Sequence, residues 1–306
     1  MGLLRSCMVA VAFMVAAVST PSYAQTKVAI GYVPVGDFLP LYVATDKGYF
    51  KDTGLDASLV AVPLATNVPA AIVSNSIQIG MTTTPIMFQA RENGIDLVAI
   101  SGLSWDTRAN PQLSLLVRKD SGIAKPADLV GKKIAFPGLR SLFDAAMMQW
   151  LKERQVDPSK VTFVEAQMPQ LTDLLRSGNV DAIAVLDPFR AKALADGTAT
   201  KMADFLIDLG GDQPLAYWIA TRDFAKAHAT EVKAFNSAME KALAFITTNG
   251  DEARQIGAKY MRGNVLASLP NWKTTIGPAD MQRQTDMEFA VGLLQQKPDV
   301  AAAFLQ

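Results

Sequence analysis

Short runs of β-branched and apolar residues alternate along this chain with stretches whose apolar positions recur at helical spacing. Lys27 to Val33, Asp56 to Val62 and Ile77 to Met81 read as strands, separated by helices over about Leu41 to Lys47 and Asn67 to Val73. Gly48 closes the first helix, and Asp52-Thr53-Gly54 turns the chain into the second strand. Thr82-Thr83-Thr84-Pro85 opens a further helix, and Asp96 to Ser101 is another strand. The alternation pauses between Trp105 and Pro111. Leu113 to Arg118 then leads to strands at Lys133 to Phe136, Val161 to Val164 and Ala182 to Leu186, with helices over Phe143 to Arg154 and Gln170 to Arg176. Gly210-Gly211-Asp212 breaks the pattern, Leu215 to Thr221 is one more strand, and the chain from Phe224 onward is helical and amphipathic.

The two sets of elements are copies. Ala71 to Pro85, AIVSNSIQIGMTTTP, aligns without a gap on Leu174 to Pro188, LLRSGNVDAIAVLDP, at an offset of 103 residues. Upstream, KVAIGY and GLDASLV stand against KKIAFP and VDPSKVTFV. Two β-α-β-α-β halves predict an α/β fold of two lobes, each a mostly parallel sheet flanked by helices. Leu113 to Arg118 reads as the crossing into lobe two and Leu215 to Thr221 as the return, which places residues 25–108 and 213–306 in lobe one and 109–212 in lobe two. Open α/β sheets bind ligands beyond the carboxyl ends of their strands, so facing lobes predict a cleft for something small.

Composition narrows the class. The 306 residues suffice for two cores, and 29 basic against 29 acidic residues give no reason to expect a nucleic-acid partner or an acidic, disordered tail. The first 24 residues differ from the rest: Arg5 precedes a charge-free run from Cys7 to Val18, and Ser22 and Ala24 put small residues at the −3 and −1 positions. This reads as a secretory signal peptide cut after Ala24, its 12-residue apolar run too short to span a bilayer. Cys7, the only cysteine, precedes that run instead of sitting at the cleavage point, so no lipid anchor is expected. The mature chain then has no thiol, which excludes disulfides, thiol catalysis and cysteine metal sites. Loss of Arg5 leaves 28 basic and 29 acidic residues, a formal charge of −1. A soluble periplasmic monomer is expected.

Candidate ligand contacts follow from the loops after the strands. Gly36, Asp37 and Phe38 follow the first strand, Thr83 and Thr84 the third, Arg140, Ser141 and Phe143 the first strand of lobe two, and Asp187 its third. Thr84-Pro85 and Asp187-Pro188 read as N-caps with proline at the first helical position, and helix N-termini offer amide donors to an anion. Capping alone would also explain Thr84 and Asp187, and solvation alone would explain Arg140. Trp105 and Trp218, at the crossings, divide between cleft and core. A carboxylate at Asp187 would repel a simple anion and suit an amine or ring N–H. His228 is the only histidine, and neither a G-x-S-x-G elbow nor a Walker-type loop occurs. No catalytic residue, cofactor or metal is expected.

Four segments carry a resemblance: ATDKGYFKDTGLDASLV, SNSIQIGMTTTP, DSGIAKPADLVGKKIAFPG and SGNVDAIAVLDPF. In this order they resemble the periplasmic substrate-binding proteins of ABC importers, of the sulfonate, nitrate and taurine type, related to thiamine-pyrimidine precursor binders. The similarity runs from Lys27 to about Gly250. It implies a type II periplasmic binding fold that closes over a small organic ligand, sulfonate-like or a nitrogen-containing organic anion, and presents it to a permease in the inner membrane. Leu186 stands where sulfonate-type relatives carry an aromatic, a departure that leaves sulfonate specificity open. A periplasmic sensory binder is one alternative. An enzyme of the pyrimidine-synthase-like branch is the other, but its histidine and cysteine motifs are missing here.

Overall fold

Strands covered on both faces need near-continuous apolar runs, and the repeat supplies them. In the computed structural model, which describes residues 27–305, KVAIGY forms β1 (Lys27–Tyr32), DASLVA forms β2 (Asp56–Ala61) and IGMT forms β3 (Ile79–Thr82). The expected leader, residues 1–24, lies outside the described residues. After β4 (Leu97–Asp106) come β5 (Ser114–Arg118), β6 (Lys133–Phe136), β7 (Thr162–Glu165), β8 (Ala182–Val185) and β9 (Ala199–Ala203). β10 (Gln213–Thr221) and the two-residue β11 (Asn271–Trp272) complete the set.

These strands form two sheets, β2-β1-β3-β10-β4-β11 and β7-β6-β8-β5-β9. In each, the repeat strands lie parallel in the order second, first, third. The 103-residue offset carries β3 onto β8 end to end. The next strand in each sheet comes from the other half of the chain and runs antiparallel: β10 on β3, and β5 on β8. Parallel pairing therefore holds for the repeat strands and gives way at the crossings. A helical crossover imposes parallel pairing, and neither crossing strand reaches its neighbour through one. Residues 107–113 and 204–212 join the sheets, and the Arg108 amide donates to Asp212 Oδ1 at 2.8 Å, tying one crossing to the other.

Helices cover the faces. In the helix Ala229–Thr248, Val232, Phe235, Met239, Ala242 and Ile246 make one buried stripe, with Phe235 against Phe50 and Trp218. The C-terminal segment lies tightly over β4. A Cβ on Gly102 would sit 2.3 Å from the Lys273 carbonyl oxygen and 2.7 Å from that of Thr275, an approach that only glycine permits.

The helix Pro278–Ala290 contains one unsatisfied position. Its Gln284 accepts from Thr84 Oγ1 at 2.5 Å and donates to the Pro214 carbonyl at 2.7 Å. Glu288, fully buried, has no hydrogen-bond partner on either carboxyl oxygen. Burial, then the charge of Glu92, holds its pKa well above the usual carboxylate range. Glu288→Met is expected to stabilise the protein by roughly 1–3 kcal/mol, because it removes an unpaired polar group and keeps the volume. Urea unfolding reads this directly, and a lower midpoint would mean that the carboxyl is satisfied after all.

Candidate functional site

Loops at the carboxyl ends of the repeat strands in one sheet meet their counterparts from the other. Val33, Val35, Asp37 and Phe38 follow β1, Pro63 to Ala65 follow β2, and Met81 and Thr83 come from the end of β3 and just beyond it. From the second sheet come Pro137, Leu142 and Phe143 after β6, Met168 after β7 and Leu186 after β8, while Leu215 and Ala216 on β10 form the floor. They line a partly open cavity of about 50 Å³, room for roughly four water molecules. The lobes thus stand closed on one another. Apart from Asp37 and Thr83, every lining residue is apolar.

Thr83 is the N-cap residue of the helix Thr84–Glu92, but its side chain makes no cap bond, and its buried Oγ1 has no partner. The helix Leu142–Glu153 opposite is satisfied at its start. Ser141 Oγ accepts from the Phe143 amide at 3.2 Å, and Asp144 accepts from the amides of Ser141 and Arg140 at 2.7 and 2.6 Å. Phe143 is left facing the cavity. Asp37 is 4% exposed, and its Oδ2 accepts from Ser104 Oγ at 2.8 Å. Burial pushes the Asp37 carboxyl up to about 6, opposed by the Ser104 hydrogen bond and assisted by the charge of Asp187.

Of the residues expected to touch a ligand, Asp37, Phe38, Thr83 and Phe143 stand in the cavity wall. The structure places the other seven elsewhere. Gly36 lies beside the cavity, its amide donating to the Asp187 carbonyl at 3.2 Å across the lobes. Thr84 is the first residue of its helix rather than the cap, with its hydroxyl on Gln284. Ser141 is a cap. Trp105 lies under the Lys273 ammonium at 3.6 Å and lines a surface pocket with Asp212 and Arg283. Trp218 is fully buried behind Phe38, the rings edge to face at 5.6 Å. Arg140 turns outward, with Nε on Gln89 Oε1 at 2.8 Å and Nη2 on the Leu293 carbonyl at 3.0 Å.

Asp187 is saturated. Arg190 clamps it through Nε to Oδ1 and Nη2 to Oδ2, each at 3.0 Å, while the Ala191 amide and Ser268 Oγ donate at 3.0 and 3.3 Å. Its helix begins at Phe189, one residue later than the cap reading placed it. The lining residues missed in sequence are apolar and follow β1, β2, β6, β7 and β8 or lie on β3 and β10. Their position after strand ends was the available signal. Their hydrophobicity made them look like core. Among the described residues, no group of three or more histidines, cysteines or acidic residues is placed to hold a metal.

Two α/β lobes, twice joined and closed over a cavity at their strand ends, define a two-lobed binding fold. The chain belongs to the NMT1/THI5-like family, whose pattern matches residues 36–253. An Escherichia coli protein named for binding aliphatic sulfonates is 29% identical over 259 residues, 79% of this chain and 77% of that one. The taurine-binding periplasmic protein of Escherichia coli is 26% identical over 191 residues, 62% of this chain; the match spans 57% of that relative's length. The alkanesulfonate-binding protein SsuA from Xanthomonas axonopodis pv. citri, solved bound to MOPS, superposes with a TM-score of 0.76 at 20% identity, covering 92% of this chain and 99% of that one. That likeness fixes the fold as the periplasmic binding protein type.

Proposed function

We propose that this chain is the extracytoplasmic solute-binding component of an ABC importer. It captures a small organic ligand between lobe one (residues 25–108 and 213–306) and lobe two (109–212), then presents the closed form to an inner-membrane permease. The observation that carries this reading is the cavity walled by strand-end loops of both sheets, with two crossings beside it to serve as the hinge. Relatives named for taurine and aliphatic sulfonates support it. A ligand that touches both lobes gains its full contact energy only on closure, so it shifts the open–closed equilibrium by its differential affinity for the two states. The leader would deliver the chain to the periplasm as a monomer.

A thermal-shift panel of sulfonates, taurine, nitrate, aromatic carboxylates, amines and pyrimidines tests this, with small-angle scattering to follow compaction. A true ligand at 100 times its dissociation constant adds about 2.7 kcal/mol, a rise of roughly 5 °C or more for a chain of this size. It should also shrink the particle. A panel that produces neither effect would overturn the reading.

A further inference from the structure

We infer that the ligand is an apolar molecule that presents an ammonium or N–H donor to Asp37, and that the site selects against sulfonate, nitrate and other simple anions. This rests on the cleft reading above and names the chemistry of the same cavity. Among the described residues, no lysine, arginine or histidine lines the cavity. Arg140, the cation nearest in sequence to these loops, spends its guanidinium on Gln89 and the Leu293 carbonyl outside. Asp37 is left as a buried carboxylate with one side-chain hydrogen bond, from Ser104, and no basic partner. The neighbouring Asp187 adds negative charge rather than relief, and Arg190 is already committed to Asp187.

Helix termini are the rival consideration, since they attract anions. The helix Leu142–Glu153 already has the Asp144 carboxylate in its first turn. The starts of Thr84–Glu92 and Met168–Arg176 also reach the wall, through Thr83 and Met168, and that of Leu39–Asp46 through Phe38, directly after Asp37 itself. Each is a fractional positive charge without a basic side chain to pair an anion, against a full negative charge on Asp37. An anion would be desolvated against that carboxylate in an apolar wall, at a cost with no compensating pair. A donor on nitrogen instead supplies the partner that a buried carboxylate lacks and forms a charge-assisted hydrogen bond. Thr83 Oγ1, buried and without a partner, sits in the same wall and can donate to a carbonyl or ring nitrogen of the ligand.

The test is titration calorimetry near pH 7.5, where a carboxyl of pKa about 6 is ionised. The probes are pairs sharing one apolar body: benzylamine with benzenesulfonate, and propylamine with propanesulfonate. The amine of a pair is expected to bind about tenfold or more tightly than its sulfonate, and Asp37→Asn should abolish that preference. The ranking is read on the wild-type protein, so it stands even if the variant fails to fold. Sulfonates that bind as well as the amines, or a preference that survives in Asp37→Asn, would overturn the assignment and leave the binding-protein reading intact. Heat from no member of either pair would also overturn it. The binding-protein reading would then stand or fall on the wider thermal-shift panel.

Discussion

Replacing Asp187 by alanine is expected to destabilise the protein by about 3–5 kcal/mol, because the change strands a buried cation. Asp187 is 2% exposed and Arg190 15% exposed in their side chains. Among the described residues, the two-point contact between them is the only ion pair either residue makes. A third nitrogen of Arg190 donates to the Pro111 carbonyl, so the pair also ties lobe two to the first crossing. Truncation leaves the guanidinium without its counter-charge, and Ser268 and the Ala191 amide without their acceptor. At roughly 2–4 °C per kcal/mol for a chain of this size, the melting temperature should fall by about 6 °C or more. The double variant Asp187→Leu/Arg190→Met should recover most of the loss, since well-packed apolar residues can replace a buried pair at little cost. A single variant that melts with the wild type would refute the argument. Ligand affinity should fall as well, through weaker closure rather than a lost contact, because the Asp187 carbonyl takes the Gly36 amide from the other lobe.

Much of the fold was legible because the repeat strands are patterned locally. KKIAFP and KVAIGY announce strands from their own residues, and the 103-residue offset announced that the halves are equivalent. β9 was not anticipated, since ATKMA exposes Thr200 and Lys201 at a sheet edge and lacks an apolar run. β11 is two residues long, below any periodicity. The site was legible as a place rather than as a chemistry. The rule that ligands sit beyond strand ends led to Asp37, Phe38, Thr83 and Phe143, which line the cavity. It could not show that Arg140 would turn towards Gln89, a residue 51 positions away, or that Arg190 would occupy Asp187. Those outcomes depend on which tertiary partner wins each side chain. Trp218 illustrates the limit: a tryptophan on a crossing strand faces the cleft or the core according to one step of strand alternation, and here it faces Phe38 and Phe235.

Stability is expected to rise, not fall, as pH drops from about 8 to 5, because four buried carboxyls titrate high: Glu288, held well above the usual range by burial, and three aspartates. Asp37 is pushed up to about 6 by burial, against Ser104 and aided by Asp187. Asp144 reaches about 6 by burial, against hydrogen bonds from the amides of Arg140, Ser141 and Ala145. Asp106 reaches about 7, burial outweighing the amides of Gln112 and Leu113, with the charges of Asp204 and Asp37 adding to it. Its Oδ2 is buried without a partner at the mouth of the first crossing. A carboxyl whose folded pKa exceeds its unfolded value near 3.9 binds more protons folded than unfolded between the two values, so stability falls as pH rises through that window. At about 1.4 kcal/mol per unit and group, the three aspartates should together yield roughly 5–6 kcal/mol by pH 5, and Glu288 adds to it. Asp96, Asp128, Asp157 and Asp196 have the opposite sign, their pKa values lowered chiefly by hydrogen bonds, so what they contribute is lost only at still lower pH, as each protonates. Thermal melts at intervals across the range decide the matter: a melting temperature no higher at pH 5 than at pH 8 would sink the argument. Asp106→Asn isolates the largest of the aspartate shares, since it should lessen the rise between about pH 8 and 6 while leaving the parts due to Asp37, Asp144 and Glu288 in place.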